Sequence, residues 1–244
     1  MKQEIGPLLQ LVAPYRKESV GRYRLYRFML EGREFCLAES GMGPAHAATA
    51  TRLLIDSVQP HMIVNFGFCG GLTTEFRIGD LVLANRLLFC HDRLFSEQQG
   101  LAAGLIRESA LILEAQAGIG HCQAAFVTTS RIMAKRDLAS RLPAGIDRAV
   151  VEMETSAVAQ VAGKEQVPLV AIRAVSDEAD DELGFSLDEF CDGELNIRPW
   201  RVFRTVARKP WIIPQLIRLS GNSRRAGQRL AAALHALLPR LPLS

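Results

Sequence analysis

VVEMETSAVAQVAGKEQVPLVAIRAVSDEADD, residues 150–181, decides the fold, because it sets an acidic helix against a buried strand that ends in a carboxylate. Val151, Ala157, Val158, Val161 and Ala162 recur near helical spacing, Gly163 weakens the last turn and Pro168 forbids continuation, which predicts a helix over 153–166. Residues 169–175 then read as a strand. It is apolar almost throughout, as a strand covered on both faces of a parallel sheet must be, and only Arg173 interrupts it. Ser176 and Asp177 follow at its carboxyl end, where ligands of open α/β sheets sit. Glu152 and Glu154 are expected to open the preceding helix, where its dipole tolerates negative charge.

Outward from this stretch the same alternation continues. Residues 2–13 form an amphipathic helix through Ile5, Leu8, Leu9 and Val12, and 23–30 and 34–39 form two strands about a Glu31-Gly32 turn. Gly41-Met42-Gly43 lies between a strand and a helix over 44–58, a geometry that serves tight packing or contact between backbone N–H groups and a ligand. A strand over 61–66 breaks into Gly67-Phe68-Cys69-Gly70-Gly71, glycines that allow close backbone approach or form a turn. A strand beginning near Asp80, a helix over 97–116, a strand over 121–128 and a short helix after Arg131 complete a β/α order, which implies a mostly parallel sheet wrapped by helices.

The chain has 244 residues, 48% of them hydrophobic, enough for one well-buried α/β domain. Its 29 Lys and Arg against 26 Asp and Glu give a net charge of +3, but the charge is uneven. Residues 195–244 hold ten basic and no acidic side chains, and the remainder is net acidic. Two units are therefore expected, a domain over 1–194 and a basic amphipathic helical extension over 195–244. No apolar run reaches the length of a membrane span and the start lacks the features of a signal peptide, so a cytoplasmic protein is expected. Cys36, Cys69, Cys90, Cys122 and Cys191 are widely spaced without a CxxC pair and read as reduced thiols. His46, His61, His91, His121 and His235 show no metal-ligand spacing, and neither metal nor cofactor is expected.

NFGFCGGL (65–72), IGDLVLA (78–84), VEMETSAVA (151–159) and VPLVAIRAVSDEAD (167–180), in this order, resemble the nucleoside phosphorylase and nucleosidase superfamily, within it the methylthioadenosine/S-adenosylhomocysteine nucleosidase branch. The resemblance runs from about Glu4 to Glu189. It implies a single-domain, three-layer α/β fold with a mostly parallel mixed central sheet, a homodimer, and hydrolysis of the N-glycosidic bond of an adenine nucleoside. The acidic body and the lack of a recognisable nucleic-acid module speak against a nucleic-acid partner.

The resemblance also implies roles, and the chemistry explains them. Asp177, beside Ser176, would protonate the purine at N7, its carboxyl kept protonated by burial. Glu154 would accept from the ribose hydroxyls and Met153 would pack on the sugar, unless it is an ordinary core side chain. Glu152 either approaches the ligand or pairs with Arg173, and the ion pair is the favoured reading. Phe126 and Val127 are candidates to line the purine slot. Glu4 in Met1-Lys2-Gln3-Glu4 matches the branch's Met-x-x-Glu and would activate water; the strand that precedes this pattern in the family is expected to be lost or to lie upstream of Met1. Phe68, Cys69 and Gly70 replace the Arg-bearing loop of phosphorolytic relatives, which favours water over phosphate, and Phe68 stands where the branch has a small residue. A phosphate-dependent phosphorylase and a non-catalytic nucleoside-binding protein are the alternatives.

In the tail, Trp200, Phe203, Trp211, Ile212 and Ile213 alternate with Arg201, Arg204, Arg208 and Lys209, a composition suited to an anionic membrane interface. It resembles the tail of the hopanoid-associated phosphorylase group, whose substrate is an adenosyl-lipid. Capping of the domain or dimerisation is the other reading of these helices.

Overall fold

The computed structural model describes residues 2–181, 190 and 199–242, so Cys191 and the start of the basic tail lie outside it, as does the side chain of Phe203. The first helix, α1 (Lys2–Leu11), leads into an antiparallel meander of β1 (Tyr15–Val20), β2 (Tyr23–Leu30) and β3 (Arg33–Glu39). α2 (Pro44–Val58), β4 (Ile63–Gly71), β5 (Leu81–His91) and β6 (Leu94–Gln98) follow, then α3 (Ala103–Glu114), β7 (His121–Thr129) and α4 (Lys135–Ala139). β8 (Ala149–Glu152), α5 (Thr155–Lys164), β9 (Leu169–Asp177), α6 (Pro199–Arg208) and α7 (Ile213–Leu237) complete the order.

β6-β5-β7-β8-β4-β9 form the second sheet, and β5 also pairs with β9, so five of its strands close into a ring. β4 with β9, β5 with β7 and β7 with β8 are parallel, whereas β4 with β8, β5 with β6 and β5 with β9 are antiparallel. The expected mixed sheet is present, and its longest registers, β5 with β7 and β4 with β9, are parallel. β1 and β6 were not anticipated: Arg16-Lys17-Glu18 and Ser96-Glu97 give exposed edge strands no apolar alternation.

Helices cover both faces because β9 is apolar on both. Val170, Ile172 and Ala174 pack with α1, α3 and α7, while Leu169, Ala171 and Val175 pack with α2 and α5. The expected boundary at residue 194 does not separate two cores. Ala226, Leu230, Leu234 and Leu237 of α7 share one cluster with Ile5, Leu8 and Leu9 of α1, so the second half of α7 is part of the domain. The crossing is close: a Cβ on Gly227 would fall 2.3 Å from the Gln3 carbonyl oxygen.

Gly227→Ala should therefore push α7 off α1 and cost about 1–3 kcal/mol, a strain typical of overpacked contacts. Chemical denaturation of the variant checks this, and unchanged stability would show that the helices part freely.

Candidate functional site

β4 carries the glycines on which the site is built. They lie inside the strand rather than after it, with a register shift between Cys69 and Gly70 where β4 runs beside β9. Two of its three glycines make room for a carboxylate. A Cβ on Gly67 would stand 3.0 Å from Glu4 Oε1 and 3.7 Å from the Arg173 guanidinium carbon, and one on Gly70 only 2.7 Å from Asp177 Oδ1. An alanine at either position would displace an acidic group from the strand.

Glu4 comes from the first turn of α1 and accepts from the Phe68 N–H at 3.1 Å. The Phe68 side chain turns away, against the α1–α7 cluster and 3.5 Å from the Gly227 Cβ position. Cys69 is buried in the opposite cluster, its thiol pushed well above the usual range chiefly by burial, and only its carbonyl is offered, to the Ser176 hydroxyl at 3.3 Å. Cys69 thus serves through backbone and not through its side chain.

Glu152 and Glu154 do not share a helix. Glu152 ends β8, and Glu154 occupies the N-cap position of α5 with its side chain folded back to the Gly43 N–H at 2.9 Å. Glu152 is wholly buried and its oxygens are consumed. Oε1 accepts from Thr128; Oε2 accepts from the Thr155 hydroxyl at 2.7 Å, from the N–H groups of Glu154 and Thr155 at 2.9 and 2.8 Å, and from Arg173 at 2.9 Å. The favoured ion pair is the observed one, so Glu152 is an internal anchor with no lone pair turned to a substrate. Asn65 completes the knot with Thr155 and Arg173.

Glu154 Oε2 stands 3.9 Å from Arg173. Its carboxyl is pushed up to about 7, first by burial and next by the charge of Glu152, with Arg173 and the Gly43 N–H pulling the other way. Met153 is half-buried beside it, with its N–H on Glu154 Oε2 at 3.3 Å. Phe126 and Val127, in contrast, are completely enclosed, Phe126 beneath the Arg173 guanidinium at 6.0 Å. Their side chains belong to the core and line no open surface.

Asp177 closes β9. Ser176 Oγ lies 2.8 Å from Asp177 Oδ2, and Lys135 Nζ lies 2.6 Å from Oδ1 while also donating to the Glu178 carbonyl. Asp177 keeps the expected Ser176 contact but, in place of a buried acid, forms a partly open ion pair, with its side chain 28% exposed and that of Lys135 9%. Sequence reasoning missed Lys135, because Lys135-Arg136-Asp137 reads as a solvated charge run; its position just beyond the parallel strand β7 was the available signal. It also missed the Gly43 N–H as a partner for Glu154 and Thr128 as one for Glu152.

Glu4 and Asp177 thus reach the glycine-bearing half of β4, with Val151 of β8 at 3.3 Å from the Gly70 Cβ position, while Lys135 joins through Asp177 and Glu154 lies beside Arg173. Four separate elements gather acidic groups and one ammonium in a mixed α/β sheet. The chain belongs to the phosphorylase superfamily, whose family pattern matches residues 1–207.

Solved structures with the same fold include the 5'-methylthioadenosine/S-adenosylhomocysteine nucleosidase of Neisseria meningitidis in complex with methylthio-immucillin-A, at 22% identity and TM-score 0.73, covering 98% of this chain and 95% of that one. The S-adenosylhomocysteine nucleosidase of Streptococcus pyogenes, in complex with 5-methylthiotubericidin, matches at 21% identity and TM-score 0.74, over 99% and 94%. Futalosine hydrolase of Helicobacter pylori matches at 20% identity and TM-score 0.74, over 99% and 95%. At such identities the likeness establishes the fold.

The raised Glu154 carboxyl has a consequence for stability. The folded protein holds a proton there that the unfolded chain, with its ordinary value of 4.5, releases, so this group's contribution falls as pH rises from 4.5 through about 7 and its full penalty stands above that. Glu154→Gln should accordingly gain melting temperature relative to the unsubstituted protein on going from about pH 5 to about pH 8. A difference that does not change with pH would show that the carboxyl is not raised.

Proposed function

We propose that the protein hydrolyses the N-glycosidic bond of an adenine nucleoside and releases adenine, with methylthioadenosine, S-adenosylhomocysteine or a lipid-linked adenosyl compound as substrate. The observation that carries the reading is the gathering of Glu4, Glu154 and Asp177 around one glycine-bearing strand. The nucleosidases of Neisseria meningitidis and Streptococcus pyogenes, which share the fold, have nucleoside-like ligands in their structures.

In this reading Asp177 passes a proton to N7, so the purine leaves as a neutral base. Glu154 in its ionised form accepts from the ribose hydroxyls and stabilises the positive charge that grows on the sugar, while Met153 packs against the ring. Glu4 takes a proton from the attacking water. Water is favoured over phosphate by how the nearest donors are used. Arg173 Nη2 is taken by Asn65, Glu152 and Thr155 and the side chain is 2% exposed, though its buried Nε has no partner among the described residues, and the Gly43 N–H is occupied by a carboxylate. Among the described residues a phosphate would meet the carboxylates of Glu4, Glu154 and Asp177, with Arg173 and Lys135 already paired to acids.

Adenine release from methylthioadenosine should proceed at full rate without phosphate, and strict dependence on phosphate would make the protein a phosphorylase instead. Asp177→Asn and Glu4→Gln should each lose about 10²-fold or more in kcat while melting normally. Wild-type turnover by Asp177→Asn would remove it from the acid role, and the absence of adenine under either condition would leave a nucleoside-binding protein.

We further propose that the protein acts as a cytoplasmic homodimer and meets anionic lipid through α6 and the start of α7. Among the described residues no helix is long and apolar enough to cross a membrane. Trp211 and Ile217 are 67% and 68% exposed beside Trp200 and Ile213, while Ile212 between them is buried against Phe190. Arg201, Arg204, Arg208 and Lys209 flank them. Apolar side chains turned outward in a basic segment suit an interfacial helix better than a solvated cap. In flotation, the protein should rise with vesicles containing phosphatidylserine and stay behind with neutral ones; equal recovery with both contradicts the contact.

A further inference from the structure

The site holds a cation that the acid role of Asp177 does not by itself require. Lys135 opens the short helix α4 and is largely buried, with its ammonium 2.6 Å from Asp177 Oδ1. The other Asp177 oxygen lies 2.8 Å from the Ser176 hydroxyl, whose single proton also has the Cys69 carbonyl within reach at 3.3 Å. An ammonium at 2.6 Å favours the ionised form of the carboxyl, which has no proton of its own to give. The acid that the purine needs must therefore be charged from a neighbour, and the neighbour in contact with it is an ammonium ion.

We propose that Lys135 is the positioning residue that arms Asp177: its ammonium holds the carboxylate at rest and supplies, through Oδ1, the proton that the departing purine takes. This rests on the nucleosidase reading above. As the bond between C1' and N9 lengthens, its electron pair moves onto the purine and N7 becomes basic. The proton passes from Lys135 Nζ to Asp177 Oδ1 and from there to N7. The oxygen of water bonds to C1', and its proton goes to Glu4 and on to solvent. Lys135, left as a neutral amine, regains a proton from water, so the cycle closes without any further reactant.

The other charges around the pair are engaged elsewhere. Glu178 turns its carboxylate to Arg77 at 3.6 Å and Asp181 holds Arg218 at 3.0 Å. On α4 itself Asp137 is bound to Arg141 at 3.0 Å and Arg93 at 3.5 Å, and Arg136 lies between it and Lys135 in sequence. From β4, the Cys69 thiol lies buried on the core side. Glu154 and Glu4 belong to the sugar half of the site.

The test compares two leaving groups. Methylthioadenosine needs a proton on its purine, whereas 4-nitrophenyl riboside releases 4-nitrophenolate, which leaves without one. Lys135→Met should lose about 10²-fold or more in kcat on methylthioadenosine and keep most of its turnover of the nitrophenyl riboside. Lys135→Arg preserves the ion pair but holds its protons at any accessible pH, so it should show the same selective loss, and it decides the matter if Lys135→Met does not fold. Equal loss on both substrates, or wild-type adenine release by Lys135→Arg, reduces Lys135 to a strut and overturns the proposal. An unsubstituted protein that cleaves neither substrate overturns the nucleosidase reading, and the role of Lys135 with it.

Discussion

The buried pair of Arg173 and Glu152 is the constraint from which the site follows. It joins the middle of β9 to the end of β8, and through Asn65, Thr128 and Thr155 it also ties in β4, β7 and α5. Removing both charges from water is expensive, and the cost is met here by near-complete hydrogen bonding of Glu152. The pair is weak evidence for overall stability, yet it fixes where α5 begins. That start places Glu154 against Gly43 and within reach of Arg173, and the charge of Glu152 helps to raise the Glu154 carboxyl. A structural ion pair and a candidate ligand group are thus one electrostatic unit.

The glycines of β4 are the second constraint. Residues 67 and 70 each leave a side-chain-sized space, filled by Glu4 from one direction and Asp177 from the other. The strand can remain in the sheet, with its backbone paired to β8 and β9, while acidic groups from α1 and β9 approach it. Loops of equal length could not hold those groups at such fixed separations.

Much of this was legible in the sequence, and the reasons for success and failure are physical. α2 was predicted to the residue because Pro44 and an apolar repeat mark it, and β9 to within two residues because a run broken only by Arg173 allows little else. Glu4, Glu154 and Asp177 were singled out by motifs in order. Glu152 was placed on a helix because its alternation with Val150 and Val151 spans only four residues, too few to show a period of two. Lys135 was missed because its pairing with a residue 42 positions away leaves no local pattern, and only its place just beyond β7 hinted at it. Phe126 and Val127 were candidates for the purine slot because they lie on a strand of the sheet, but both side chains are fully buried in the core.

Helix α7 joins regions with opposite needs. Its first turns carry outward-facing Ile213 and Ile217, and its later turns press Gly227 against the backbone of Gln3, one residue before Glu4. A single unbroken rod of 25 residues therefore links whatever its outer end rests on to the turn that carries Glu4. Trimming the chain inside this rod would not shorten a dispensable appendage; it would unlatch the first helix and, with it, the carboxylate seated on the Phe68 N–H.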